Sequence, residues 1–283
     1  MFNHDQIVLI IPRLLQAAIL LIVALILLKQ AKKSQEVAPV QKIFSGLFII
    51  AAFSFILEIL FNLVAGLSFT EEYIQSIEEF PRVYLGYDWE YPSVAIANIF
   101  RDIYGISEIL IGYYAYMGAV AIKYGSEAGK KRATSLPVLA FYGTITILFT
   151  IFDGLLITIE TPELLIIDPD FGLIVPEIIT SILYVVFILS FLYSLGIVFS
   201  TYRDIRHEVT ASVKRKFFFF ILGYVFLIAG HFYWLLAVFF EPMGFSSFVV
   251  YMIVGQSIWA VSAIMFLFAF AFADSNPPQK DSN

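Results

Sequence analysis

The chain contains no cysteine. Disulfides, thiolate-ligated zinc and iron–sulfur clusters are therefore excluded. Its three histidines, His4, His207 and His231, are too few and too scattered for a haem pair or an all-histidine metal site, so no metal and no cofactor is expected. Charge is also scarce. Only 14% of the 283 residues are charged, against about a quarter in a soluble domain. That cannot cover a water-facing surface, so lipid must face much of the protein. The basic residues fall in short separate stretches and form no continuous stripe, which argues against a nucleic-acid partner. Met1–Gln6 holds Asp5 but no Lys or Arg, and no small-x-small site ends the first apolar run. That run is expected to be a retained helix rather than a signal peptide.

What is abundant is apolar sequence: 60% of the residues are hydrophobic, and the mean hydropathy is +0.87. A helix needs about 20 apolar residues to cross the hydrocarbon core. Seven runs approach or exceed that length: 7–28, 43–69, 94–122, 136–159, 173–199, 217–240 and 248–272. They do not alternate in polarity, so a β-barrel is excluded, whereas helices satisfy their own backbone hydrogen bonds in lipid. The expected fold is an all-α integral membrane protein, a seven-transmembrane-helix bundle with the third span central. It forms one domain over residues 1–273, followed by a short cytoplasmic tail, 274–283.

The loops set the expected orientation. Segments 29–42, 123–135, 200–216 and 274–283 hold 14 of the 17 Lys and Arg. The opposite side is acidic, with Glu71, Glu72, Glu78, Glu79, Asp88 and Glu90 in one loop and Glu160, Glu163, Asp168 and Asp170 in another. The positive-inside rule then places the N-terminus outside and the C-terminus in the cytoplasm. In the long loop 70–93, Tyr73, Ile74, Ile77 and Phe80 predict one face of a short amphipathic helix, and residues 83–91 suit a small hairpin. This loop is expected either to cap the bundle or to be a solvated connector. A short repeat, Leu9-Ile10-Ile11-Pro12-Arg13 against Leu173-Ile174-Val175-Pro176-Glu177, is compatible with a 3+1+3 pseudo-repeat of parallel halves.

Polar residues inside spans are costly and therefore informative. They are Arg13, Glu58, Asn62, Asn98, Arg101, Asp102, Glu108, Asp153, Glu177, His231 and Gln256. At about 1.5 Å per residue, they gather in the outer half and at the midplane, over an inner half without ionisable groups. On the third span, Asn98, Arg101, Gly105, Glu108, Gly112, Ala115 and Ala119 recur at helical spacing, so one stripe is polar above and small below. Ala51, Ser54, Glu58, Asn62 and Ala65 make a similar stripe on the second span, Thr146, Thr150 and Asp153 on the fourth, and Glu177, Thr180, Ser181 and Tyr184 on the fifth. Two arginines face five carboxylates (Glu58, Asp102, Glu108, Asp153 and Glu177), so at least one carboxylate lacks a fixed cation. Arg101 is expected to pair with Glu108 or Glu58, and Arg13 with Glu58 or a group on the seventh span. The candidate ligand-binding residues are Arg13, Glu58, Asn62, Asn98, Arg101, Glu108, Asp153, His231, Tyr233, Gln256 and Trp259. The competing expectation is a buried network that only sets helix register.

The topology resembles that of retinal proteins, which need a lysine in the middle of the seventh span for the Schiff base. Phe248–Phe272 contains none, so a covalently bound retinal is excluded. It also resembles seven-helix receptors, but the third span ends Ala121-Ile122-Lys123-Tyr124 without their acid–arginine triplet, and the seventh lacks an NPxxY stretch. Sugar carriers of 3+1+3 plan place prolines in spans 1, 2, 5 and 6. Here only Pro12 and Pro176 match. No GxSxG elbow or GxGD motif supports an enzyme. The leading expectation is a membrane receptor or sensor with an outward-facing polar pocket for a small cationic ligand, ion or proton, signalling to a separate cytoplasmic protein partner at the basic loops. The alternatives are a small-solute transporter and a structural membrane subunit of a larger complex.

Overall fold

The computed structural model describes residues 4–33, 38–68, 92–149, 174–235 and 245–272. Every regular element among them is helical: α1 (His4–Ala31), α2 (Ala38–Ser68), α3 (Pro92–Tyr124), α4 (Ser126–Ala133), α5 (Leu136–Phe149), α6 (Ile174–Ile205), α7 (Ala211–Leu235) and α8 (Phe245–Leu267), which ends in a π turn, Phe268–Phe272. Six of these, α1, α2, α3, α6, α7 and α8, are long and apolar enough to cross a membrane. The described part is thus all-helical, and the chain is a multi-pass membrane protein. The run expected to span 136–159 is described only through Phe149, and its apolar part, Leu136–Leu148, is shorter than a span. Asp153, the acidic loops with the expected amphipathic helix and hairpin, and the tail lie outside the described residues.

Proline placement fits these boundaries. Pro39, Pro92, Pro137 and Pro176 fall in the first turns of α2, α3, α5 and α6, where a missing N–H breaks no intrahelical bond. Pro12 alone lies inside a helix, one residue before Arg13.

Helices adjacent in sequence are adjacent in space. α1 packs on α2 and α8, α2 on α3, α3 on α6, α6 on α7, and α7 on α8, while α5 rests outside this ring against α3 and α6. Small residues allow the close approach: Ala24, Ala52, Ala115 and Ala119 are fully buried. The third-span stripe from Gly105 to Ala119 and the Ala51–Ser54 stripe of the second span both face inward, as their spacing requires. The inner faces are pinned by hydroxyls that donate to carbonyls of neighbouring helices: Ser45 Oγ to Ala24 O at 3.1 Å, Tyr224 OH to Ala115 O at 3.3 Å and Ser262 Oγ to Gly223 O at 2.7 Å. Thr146, the one described member of the fourth-span stripe, is half-buried. Its hydroxyl donates to Tyr142 O of its own helix, and Tyr142 and Ile145 are the buried residues of α5.

Toward the basic ends of the helices the core is aromatic. Phe48 meets Phe266 at 4.9 Å between ring centroids, Phe44 meets Phe220 at 5.0 Å, and Phe220 meets Phe270 at 5.7 Å. Gln30 Nε2 donates to Phe270 O at 3.0 Å and so ties α1 to the π turn.

The basic segments are more helical than hydropathy suggests. α6 runs on to Ile205 and α7 begins at Ala211, so Arg203, Lys214, Arg215 and Lys216 lie on helices. Segment 123–135, expected as a loop, contains α4. Apolarity marks the hydrocarbon slab, whereas a helix continues into the headgroup region wherever its backbone is paired. Gly125, at φ 83°, makes the reversal from α3 into α4. Gly129 then lies so close to α3 that a Cβ would stand 2.5 Å from Ala121 Cα. The neighbour there is backbone and cannot swing away, so Gly129→Val should lift α4 from α3 at a cost of about 1–3 kcal/mol. The readout is limited trypsin cleavage after Lys130, Lys131 or Arg132. Unchanged cleavage and melting would remove α4 from this seat.

Candidate functional site

The polar residues of five helices converge at one level, roughly 24–30 Å along the helices from their basic ends at about 1.5 Å per residue. On α1, Arg13 and Gln16 are three residues apart and share a face. Both are buried, Arg13 to 1% exposure. The Arg13 guanidinium lies 2.8 Å from Glu58 of α2 (Nε to Oε2) and donates from Nη1 to Gln16 Oε1 at 2.8 Å. Gln16 Nε2 in turn donates to the Gln256 carbonyl of α8 at 2.6 Å. The guanidinium lies over two aromatic rings, with Cζ 4.3 Å from the Trp259 centroid and 4.7 Å from that of Phe55. These two rings stack on each other at 5.5 Å. A desolvated cation over such a ring gains about 2 kcal/mol.

The second half of the cluster lies beside the first. Ser54 Oγ, one turn before Glu58 on α2, donates to Glu108 Oε1 of α3 at 2.7 Å. Glu108 Oε2 stands 3.7 Å from His231 Nε2 of α7. That is within ion-pair range but too long for a hydrogen bond. The His231 ring is boxed by Phe191, stacked at 5.4 Å, Phe187, edge-on at 5.7 Å, and Trp259 at 5.1 Å. Trp259 thus touches both halves. It reaches that position because Gly230 has no side chain: a Cβ there would collide with the indole. Glu108, His231, Trp259 and Ser262 line a cavity of about 30 Å³, together with Phe48 and Phe266.

Among the described side chains of the cluster, one arginine faces two carboxylates, Glu58 and Glu108. Arg13 offsets one carboxylate, Glu58. Glu108 is the second, and the described groups around it are Ser54 and Glu58 of α2, Arg13 of α1 and His231 of α7. With His231 neutral and both acids ionised, the described side chains of the cluster sum to one negative charge, and an uncompensated charge in a low-dielectric interior is costly. One proton held by Glu108 or His231 removes it. The described residues hold no group of three or more His, Asp or Glu side chains placed to bind a metal ion.

Of the residues singled out from sequence, Arg13, Glu58, Glu108, His231, Gln256 and Trp259 come together. Arg13 meets Glu58, one of its two expected partners, while Glu108 meets Ser54 and His231. Tyr233 is only partly buried. Two residues beyond His231, it is rotated by roughly 200° around α7, away from the face that His231 uses. Asn62, Asn98 and Arg101, whose side chains are not described, and Asp153 lie outside the described part, as do the expected Arg101 pairing and the stripe from Glu177 to Tyr184. Gln16, Phe55 and Ser262 were not anticipated as members of the site. The spacing of Gln16 from Arg13 was the available signal, since positions three apart on a helix share a face.

The fold and this cluster define a class: a multi-pass helical membrane protein with a buried, mixed-charge polar cluster shared by five helices. No protein-family model, curated protein or solved structure matches the chain.

Proposed function

We propose that the protein is a membrane receptor or sensor that responds to protonation of the Glu108–His231 pair from the extracytoplasmic side. In this reading the N-terminus is outside the cytoplasm, and a separate cytoplasmic partner reads the change at the basic end. The observation that carries it is the setting of Glu108, which is buried, accepts from Ser54 Oγ at 2.7 Å and stands 3.7 Å from His231, while Arg13 lies on Glu58. Size favours a proton over a larger cation. The cavity beside the pair, about 30 Å³, has room for one water molecule or so, and an organic amine would not enter it. Two further features support sensing rather than pumping. No Asp, Glu, Lys, Arg or His lies between the cluster and the basic helix ends, so no ionisable path crosses the membrane. Trp259, Phe55, Phe48, Phe266, Phe220 and Phe270 instead form continuous packing from the cluster to the π turn.

Difference infrared spectroscopy of the protein in lipid nanodiscs, stepped between about pH 5 and pH 8, tests this reading. A protonated-carboxyl C=O band should titrate, vanish in Glu108→Gln and persist in Glu58→Gln. A band unaffected by Glu108→Gln removes the proposal.

A solute carrier is the second reading, favoured by one observation. α5 stands outside the ring at the α3–α6 seam, where a linker between two three-helix halves would sit. In liposomes, tracer accumulation abolished by Glu108→Gln would select the carrier.

A further inference from the structure

α4 folds back along α3, so its last turn lies beside the start of α5. Tyr113 OH of α3 donates to Ala133 O at 3.4 Å, and Tyr142 OH of α5 donates to Gly112 O at 3.2 Å. The surface changes character over this stretch. Lys130, Lys131 and Arg132 are exposed, and Leu136, which opens α5, is 81% exposed. A cationic turn followed by an exposed leucine places residues 130–136 where headgroups meet hydrocarbon. Among the described residues none of the three cations pairs with a carboxylate, and the one acid of α4, Glu127, lies in its first turn. A groove of about 430 Å³ starts at this level, between α3, α5 and α6. Val186, Leu189 and Tyr193 of α6 line it, so it runs for about 10 Å along the helix. Pro137 and Phe141 of α5 line it too, as does Tyr116 of α3, which stacks on Tyr193 at 6.1 Å. Leu189, Tyr193 and Phe141 are exposed, so the groove opens to the surrounding lipid. Arg132 joins turn to groove. Its guanidinium lies 3.9 Å over the Tyr124 ring, and its charge acts on the Tyr116 hydroxyl.

We infer that this is a binding site for one anionic phospholipid, with its phosphate on the Lys130–Arg132 turn and an acyl chain in the groove. Charge complementarity identifies the occupant. The turn offers three cations without a protein counterion, and a zwitterionic lipid would bring a further cation to them. The apolar groove beside the turn suits a chain that continues from the same headgroup. The competing role is local, since basic side chains in the last turn of a helix offset its dipole. That role gives no selectivity among lipids. The site lies toward the opposite end of the bundle from the Glu108–His231 pair and does not depend on the sensor reading.

Native mass spectrometry of the full chain in a neutral detergent tests it, with phosphatidylglycerol and phosphatidylcholine of identical acyl chains as probes. The wild type should bind its first phosphatidylglycerol about tenfold tighter, as expected of cations facing one anionic headgroup. Lys130→Gln/Lys131→Gln/Arg132→Gln should remove the preference, and these side chains are exposed, so the variant should fold. Lys214→Gln/Arg215→Gln/Lys216→Gln removes the same charge from α7 and should keep it. Ser190→Phe, which fills the groove, should weaken both lipids. Should that variant fail to fold, glycerol 1-phosphate tests the chain instead: without acyl chains it should not displace the lipid at equal concentration. The inference is overturned if the wild type binds both lipids alike, if the preference survives the α4 substitutions, or if the α7 substitutions abolish it as fully. It is overturned equally if Ser190→Phe changes neither affinity, or if glycerol 1-phosphate displaces the lipid.

Discussion

Replacing Arg13 by methionine should destabilise the bundle by about 3–5 kcal/mol, because it strands a buried carboxylate. Arg13 is 1% exposed, contacts Glu58 at 2.8 Å and donates to Gln16 at 2.8 Å. Methionine fills much of the same volume against Phe55 and Trp259, so the loss is electrostatic rather than a cavity effect. The charge logic can be isolated by removing the second partner. Replacing a whole buried ion pair by apolar residues is often neutral or stabilising, so Arg13→Met/Glu58→Leu should recover most of what Arg13→Met alone loses. Thermal melting in a fixed detergent measures both variants. A single variant that melts like the wild type, or a double variant no better than the single, would show that the Arg13–Glu58 contact does not hold α1 against α2.

The second large effect is expected at Trp259. Truncation of a buried tryptophan to alanine costs about 3–5 kcal/mol. Here it also strips the guanidinium of one aromatic face and His231 of a ring neighbour at 5.1 Å. Trp259→Phe keeps a ring on Arg13 and should lose clearly less. Gly230→Val attacks the same contact from α7, since its added carbons occupy the space of the indole. It should reproduce the instability of Trp259→Ala while leaving residue 259 itself intact. If Gly230→Val melted normally, the close approach of α7 and α8 at this level would be wrong.

Part of the site was legible from residue type and spacing. A charged or amide group within an apolar run stands out because lipid tolerates so few, and this picked out Arg13, Glu58, Glu108, His231 and Gln256. Spacing of three and four then showed which groups share a face, as with Ser54 and Glu58 on α2. Spacing does not show which neighbouring helix that face meets. Arg13 had two plausible partners, and so did Arg101, whose expected pairing with Glu108 or Glu58 lies outside the described residues; the fold sets Ser54 and His231 against Glu108, 54 and 123 positions away in the chain. Residues without charge were harder still. Gln16 and Phe55 are ordinary in an apolar helix, and only their contacts with Arg13 distinguish them.

The amino-acid sequence by itself determined that this protein lives in lipid, as helices, with its ionisable groups gathered toward one side. Those features follow from the cost of exposing backbone and charge to hydrocarbon, which depends on composition and periodicity alone. Only the tertiary structure decided that α5 stands outside the ring, that Arg13 meets Glu58 while Glu108 meets Ser54 and His231, and that the cavity beside Glu108 measures about 30 Å³. These depend on which helix faces are brought together and how closely, a matter of packing between segments far apart in the chain.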